Sequence, residues 1–109
     1  SEIARARVRG FQGDDLSANN TILACAKHFA GYGASEGGRD YNTVDIADQR
    51  LREYYLPPFK AAIDEGVATF MNSFNELGGN PATAIYCLWS GYFAANGAGT
   101  VRSFPTGAR

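Results

Sequence analysis

Sulfur, histidine and long apolar stretches are scarce in this chain, and each scarcity closes off a class of function. There are two cysteines, Cys25 and Cys87, and one histidine, His28. Their spacing fits no zinc pattern, a catalytic zinc site lacks its imidazoles, and a Cys25–Cys87 disulfide is open but supported by nothing else in the sequence. No apolar run approaches the ~20 residues of a membrane-spanning helix, and no signal-peptide pattern opens the chain. The formal net charge over 109 residues is −1, which implies no general attraction to nucleic acid or to an acidic membrane. Gly97-Ala98-Gly99 is not followed by Lys-Ser/Thr, which removes a P-loop, and neither Ser35 nor Ser73 stands in a nucleophile-elbow sequence. Asn19-Asn20-Thr21 matches a glycosylation sequon but, with no secretory signal, is read as chance. Ser1 rather than Met stands first, as expected of a processed or excised piece.

What is present is concentrated. Lys27-His28-Phe29-Ala30-Gly31-Tyr32-Gly33 and Glu36-Gly37-Gly38-Arg39-Asp40-Tyr41-Asn42 crowd cations, carboxylates and glycines behind the apolar run Ile22-Leu23-Ala24-Cys25-Ala26. That run predicts a strand buried on both faces whose carboxyl end presents Lys27 and His28. In parallel α/β architectures ligands sit at the strands' carboxyl ends, so two hydrogen-bonding cations there suit sugar hydroxyls or a carboxylate. The competing reading makes Lys27 solvated and His28 a satisfied structural histidine.

With 45% hydrophobic residues the chain has material for one small domain with a modest core. Ala4, Val8 and Phe11 recur at helical spacing and predict a helix over 2–11 ending near Gly13. Asp45 reads as the N-cap of a second helix, with Asp48 favouring its first-turn N–H groups. Leu51, Tyr54, Tyr55, Phe59, Ala62 and Ile63 form its apolar stripe, which Pro57-Pro58 kinks or restarts before Gly66. Val67 to Phe74 reads as a second strand, closed by Glu76-Leu77-Gly78-Gly79-Asn80-Pro81. Helix, strand, helix, strand is the logic of a parallel sheet.

Four motifs in order at natural spacing carry a resemblance: Ala26-Lys27-His28-Phe29-Ala30-Gly31-Tyr32-Gly33, Glu36-Gly37-Gly38-Arg39-Asp40-Tyr41-Asn42, Tyr55-Leu56-Pro57-Pro58-Phe59 and Phe70-Met71-Asn72-Ser73-Phe74-Asn75. Over residues 3–84 the chain resembles family 3 glycoside hydrolases of the β-glucosidase type. The resemblance implies a βα fragment of a (β/α)8 barrel with flanking helices, completed by oligomerisation, and needing no cofactor or metal. It implies that Lys27 and His28 hydrogen-bond the hydroxyls of the sugar at the cleavage subsite. Phe74 stands where many relatives carry a tyrosine touching the same sugar, and it lacks the hydroxyl. Arg39 and Asp40 belong to a recurring Gly-Arg-Asp-Tyr-Asn loop that orders itself or touches substrate. The family's hexosaminidase branch continues Lys-His-Phe-Pro-Gly-His-Gly and supplies Asp-Ser-His; Ala30 and Tyr32 replace the proline and histidine here, which favours the glucosidase branch.

Retaining glycosidases need two carboxylates about 5 Å apart. The family's nucleophilic Asp lies in a Ser-Asp-Trp-like sequence, and this chain contains no Ser-Asp dipeptide. The usual acid/base Glu comes from a second domain, and only two of the barrel's eight strands are legible here. The tail 85–109 departs from the family pattern: every acidic residue precedes it, while it carries Arg102 and Arg109. A shifted reading frame or a junction would make such a boundary. Its block of Tyr86, Leu88, Trp89, Tyr92 and Phe93 must be buried, within the chain or across a partner. Two functions follow. Either the fragment acts on β-glucosides, with Glu36 and Asp40 as the first choice among Glu36, Asp40, Asp45 and Glu76 for acid and nucleophile and with Lys27, His28, Arg39 and Phe74 binding substrate, or it is a catalytically silent, self-associating piece. In the silent case Asp45 caps a helix, Asp40 pairs with Arg39 and the other carboxylates are solvated.

Overall fold

The computed structural model describes residues 1–85 and 90–96, and the backbone of 102–104. Helix α1 (Glu2–Gln12) starts at Ser1, whose hydroxyl accepts from the Ala4 N–H, and stops at Gly13. Of its expected apolar positions Val8 is buried, whereas Phe11 is 51% exposed. The arginines between them reach the far end of the second helix, Arg5 to Asp64 at 3.4 Å and Arg9 to Glu65 at 3.0 Å. Such surface pairs are worth about 0–1 kcal/mol each and orient α1 more than they stabilise it.

Strand β1 is Cys25–Phe29, three residues later than the apolar run suggested. Ile22 and Leu23 are 62% and 59% exposed. The correction has a physical cause at Gln12. Its buried amide oxygen accepts from the N–H groups of Ala24 at 3.2 Å and Ala68 at 2.9 Å, and its amide nitrogen donates to the Gly66 carbonyl. Sheet pairing therefore begins only beyond Ala24, whose carbonyl receives both the N–H and the hydroxyl of Thr69. Nor is β1 buried on both faces: Cys25 and Lys27 are exposed, and among the described residues β1 is an edge strand.

The second helical region begins with α2 (Asp48–Arg50), not at Asp45, which is exposed and preceded by a bridge from Val44 to Leu77. Asp48 does lie in the first turn. A π-helical turn over Leu51–Tyr55 follows, with Leu56 N–H bonded to the Leu51 carbonyl at 3.0 Å. Pro57 and Pro58 have no N–H to give to carbonyls one turn back, so the helix widens and restarts as α3 (Pro57–Asp64). Leu51, Ala62 and Ile63 of the expected stripe are buried, but Tyr54 is 68% exposed and lies under the Arg50 guanidinium.

Strand β2 (Thr69–Asn72) pairs parallel to β1, Cys25 with Thr69 and Ala26 with Phe70, and on its other side parallel to β3 (Arg102–Phe104). The three-stranded order is β1-β2-β3. The third strand comes from the tail that the sequence left without an element. Between β2 and the tail a two-residue hairpin, Glu76–Leu77 against Asn80–Pro81, turns at Gly78-Gly79, both with positive φ that suits glycine. Tyr92 and Phe93 on α4 (Tyr92–Ala95) pack on the core, Phe93 lying 4.9 Å edge-on to Phe70. Phe29, fully buried, meets Phe59, Phe70, Tyr92 and Phe93 with centroids 4.9–5.9 Å apart. This part of the aromatic block is buried within the chain; Tyr86, Leu88 and Trp89 lie outside the described residues, as do Cys87, the Gly97–Gly99 run and Arg109. Cys25 is a free, exposed thiol.

Candidate functional site

The parallel register of β1 and β2 slips between Ala26 and Phe29: Phe29 pairs with Asn72, so one more residue is spent on β1 than on β2. A slip of this kind re-aims side chains at a strand's end. It falls on Lys27-His28, and Lys27–His28 and Phe29–Ala30 are cis peptide bonds. Phe29 points into the core while His28 is half-buried on the other side.

The imidazole of His28 packs against two rings, with centroids 4.9 Å from Tyr32 and 4.9 Å from Phe74. Tyr32 and Phe74 are themselves 5.6 Å apart, and Tyr41 packs against Phe74 at 4.9 Å, tilted by 55°. Each ring is placed by its backbone. Gly31, at φ +84°, turns the chain into Tyr32 with Leu77 so close that an added Cβ would come within 3.2 Å of its methyl. The Ser35 hydroxyl then donates to the Tyr32 carbonyl at 2.8 Å. Phe74 is bracketed by buried Ser73 and Asn75: Ser73 N–H donates to the Phe29 carbonyl at 2.8 Å, and the Asn75 amide reaches the carbonyls of Ala30 and Glu76. The Ser73 hydroxyl in turn bonds to Asn75.

Burial, then the nearby Lys27 charge, lower the pKa of His28, and the Asp40 carboxylate opposes them only in part. At neutral pH the ring is therefore neutral, with one donor and one acceptor, rather than the second cation that the sequence suggested. That pairing suits a hydroxyl, which donates once and can accept. Asp40 is engaged by the Tyr32 hydroxyl, a bond that raises the phenol's pKa. The expected Asp40–Arg39 pair is replaced by this contact.

The site residues named from sequence thus separate. His28, Phe74 and, through Tyr32, Asp40 come together. Lys27 stays exposed and lines a cleft of about 540 Å³ between α1 and the β1 edge. Glu36 is exposed on a 3₁₀ turn whose contacts are made by its backbone: its N–H bonds to the Thr43 carbonyl and its carbonyl accepts from the Asn42 amide. Arg39 is exposed beside it. Glu76 accepts from the Thr43 hydroxyl at 2.9 Å and ties the loop to the hairpin. Tyr32 and Tyr41 were visible in the motifs but assigned nothing; their being the only aromatics of the glycine-rich loop was the available signal. Among the described residues no group of three His, Cys, Asp or Glu side chains could hold a metal ion.

Comparison with known proteins gives a consistent answer. The sequence model described as glycosyl hydrolase family 3 N terminal domain matches residues 1–90. A periplasmic beta-glucosidase of Salmonella typhimurium is 43% identical over 84 residues, 77% of this chain and 11% of the relative. A beta-xylosidase of Formosa agariphila is 38% identical over 84 residues, 74% of this chain and 12% of its own length. The crystal structure of a beta-glucosidase from Listeria innocua in complex with glucose superposes with a TM-score of 0.85 at 39% identity, covering 95% of this chain and 15% of that one. The chain therefore spans about one ninth of the curated relatives it matches.

Proposed function

This chain belongs to the glycosyl hydrolase family 3 N-terminal domain family, and from that premise we propose that it is the sugar-holding segment of a β-glycoside hydrolase, with a β-linked glucoside as its substrate. One observation carries the reading: a neutral imidazole, packed against Tyr32 and Phe74 and within range of the Lys27 charge, sits at the carboxyl end of a parallel strand. Lys27 donates to one hydroxyl of the sugar, and His28 exchanges a donor and an acceptor with the next. Phe74 offers its ring as an apolar wall and no hydroxyl. Relatives named as beta-glucosidases support glucose, and those named as beta-xylosidases support a sugar of the same stereochemistry without the exocyclic carbon.

Of the carboxylates weighed for acid and nucleophile, Glu36 has its side chain in solvent, whereas Asp40 is held by Tyr32. Glu36 is thus the candidate for proton transfer within this chain, and Arg39 for contact with a leaving sugar. Residues 1–84 carry this machinery, and from the tail Tyr92 and Phe93 pack over Phe29, with Phe93 also against Phe70. Open sheet edges make self-association the expected state.

The test is a titration of the purified chain with methyl β-glucoside, followed on the imidazole protons of its one histidine, beside hydrolysis of a nitrophenyl β-glucoside. Saturable shifts that Lys27→Ala abolishes support the reading; hydrolysis lost in His28→Ala and in Glu36→Gln adds catalysis to binding. Shifts that never saturate, or that methyl α-mannoside reproduces, overturn it.

A further inference from the structure

Tyr32 touches the only histidine and the loop's aspartate at once, and nothing in the sugar-binding role of the Lys-His pair requires that. We propose that Tyr32 is a positioning residue: anchored at its hydroxyl by Asp40 and faced by Phe74, it holds the His28 imidazole in the single orientation that meets a sugar. The inference rests on the sugar-binding reading of Lys27 and His28 and adds to it a strut that the chain builds from its own loop.

Three sets of contacts support it. Tyr32, Phe74 and His28 form a triangle of rings with centroids 4.9, 4.9 and 5.6 Å apart, tilted 57° and 46° to the imidazole, so one face of the imidazole packs into the angle between the other two and cannot swing further toward either. Both rings are referred to the same piece of backbone, the end of β1. Tyr32 follows Gly31, and Phe74 lies between Ser73 and Asn75, which bond to the carbonyls of Phe29 and Ala30. The phenol is tied at its hydroxyl by Asp40, which sits on an exposed loop held by the Asn42 amide on the Glu36 carbonyl. With no Asp40 partner, rotation of the phenol would take away one of the two rings against which the imidazole packs. Holding the ring in place before sugar arrives removes the ordering cost from the binding step.

Asp40 therefore acts through Tyr32 on His28. Its charge is also felt at the imidazole directly, together with that of Lys27.

The lone histidine makes the test direct. Tyr32→Phe keeps the ring and removes the hydroxyl; Asp40→Asn keeps the shape and removes the charge. In the parent, ring currents from Tyr32 and Phe74 displace the imidazole proton signals of His28. Both substitutions are expected to reduce that displacement and to weaken methyl β-glucoside binding by a common factor, roughly tenfold. The double variant is expected to be no weaker than either single one, since the two remove the same strut. The His28 titration midpoint of Tyr32→Phe should rise toward the ordinary histidine value as the ring gains water. Lys27→Ala should weaken sugar binding and leave the ring-current displacement unchanged. Histidine signals identical in parent, Tyr32→Phe and Asp40→Asn overturn the strut even if glucoside binds. Displaced signals that collapse in both variants, in a chain that binds no glucoside, uphold the strut and overturn the sugar reading. A circular dichroism spectrum unchanged in Tyr32→Phe separates either result from misfolding.

Discussion

At the scale of single residues, the proposed sugar contact rests on a histidine whose pKa the fold lowers. Its pKa is lowered chiefly by burial, so the folded chain binds its proton less readily than the unfolded chain, in which histidine titrates near ~6.5. Stability from this group is complete above that value and is lost as pH falls through the lower folded value, because there the unfolded state takes up more protons. Urea unfolding at pH 7.5 and at pH 5.5 should therefore give a lower midpoint at the acid value. His28→Gln should narrow the difference, and an unchanged pH dependence in that variant would assign the acid sensitivity to other groups. Carboxylates add the same sign lower down, Asp64 being held ionised mainly by Lys60 at 2.8 Å. Lys27-His28 was legible from sequence because cations behind an apolar run are conspicuous. The Tyr32–Asp40 bond was not, because it joins residues whose spacing says nothing until Gly31 sets the direction of the turn.

Elements are joined here by a side chain that no pattern flags. Gln12, the last residue of α1, bonds the entry to β1, the entry to β2 and the exit of α3. Its carbonyl oxygen takes two N–H groups that have no ladder partner at the sheet's starting end. Gln12→Ala leaves both unpaired, at a cost of about 1–3 kcal/mol for each such group that stays buried. A lowered urea midpoint with an unchanged slope is expected, with Gln12→Glu intermediate, since its carboxylate still accepts but cannot donate to Gly66. A midpoint equal to the parent's would mean that water replaces the amide. The same residue explains why the strand expected from Ile22 starts at Cys25: periodicity marked apolar content, but hydrogen bonding decided where pairing began. The helix break at Pro57-Pro58 needed no tertiary information, because a missing N–H acts locally.

Across the whole molecule the distribution of exposed apolar surface is uneven. Among the described residues β1 and β3 each pair on one side only. Around the β1 edge Ile3, Phe11, Ile22 and Leu23 are 72%, 51%, 62% and 59% exposed. Open edges beside apolar side chains pair with other chains. The chain is expected to self-associate in sedimentation equilibrium at micromolar concentration, and Leu23→Lys with Ile22→Glu to shift it toward the monomer. A monomeric parent would mean that the edge is tolerated in water. The aromatic cluster around Phe29 closes the opposite side, where Tyr92, bonded through its hydroxyl to the Leu56 carbonyl, is pushed up to a pKa of about 12 by burial.

By itself the sequence determined the local outcomes: helix α1 and its stop at Gly13, the restart at the two prolines, the glycine-rich loop after β1, and a family resemblance carried by four contiguous motifs. These depend on residues near one another in the chain, where propensity, missing donors and spacing act directly. Only the tertiary structure decided which carboxylate is free, which face of β1 meets solvent, and that the tail adds a third strand. Each of those depends on groups separated along the chain, by eight residues for Tyr32 and Asp40 and by tens for the strand pairs, whose contacts form only once the fold has set their distances. Asp40 is occupied and Glu36 open because a phenol eight residues before Asp40 reaches it.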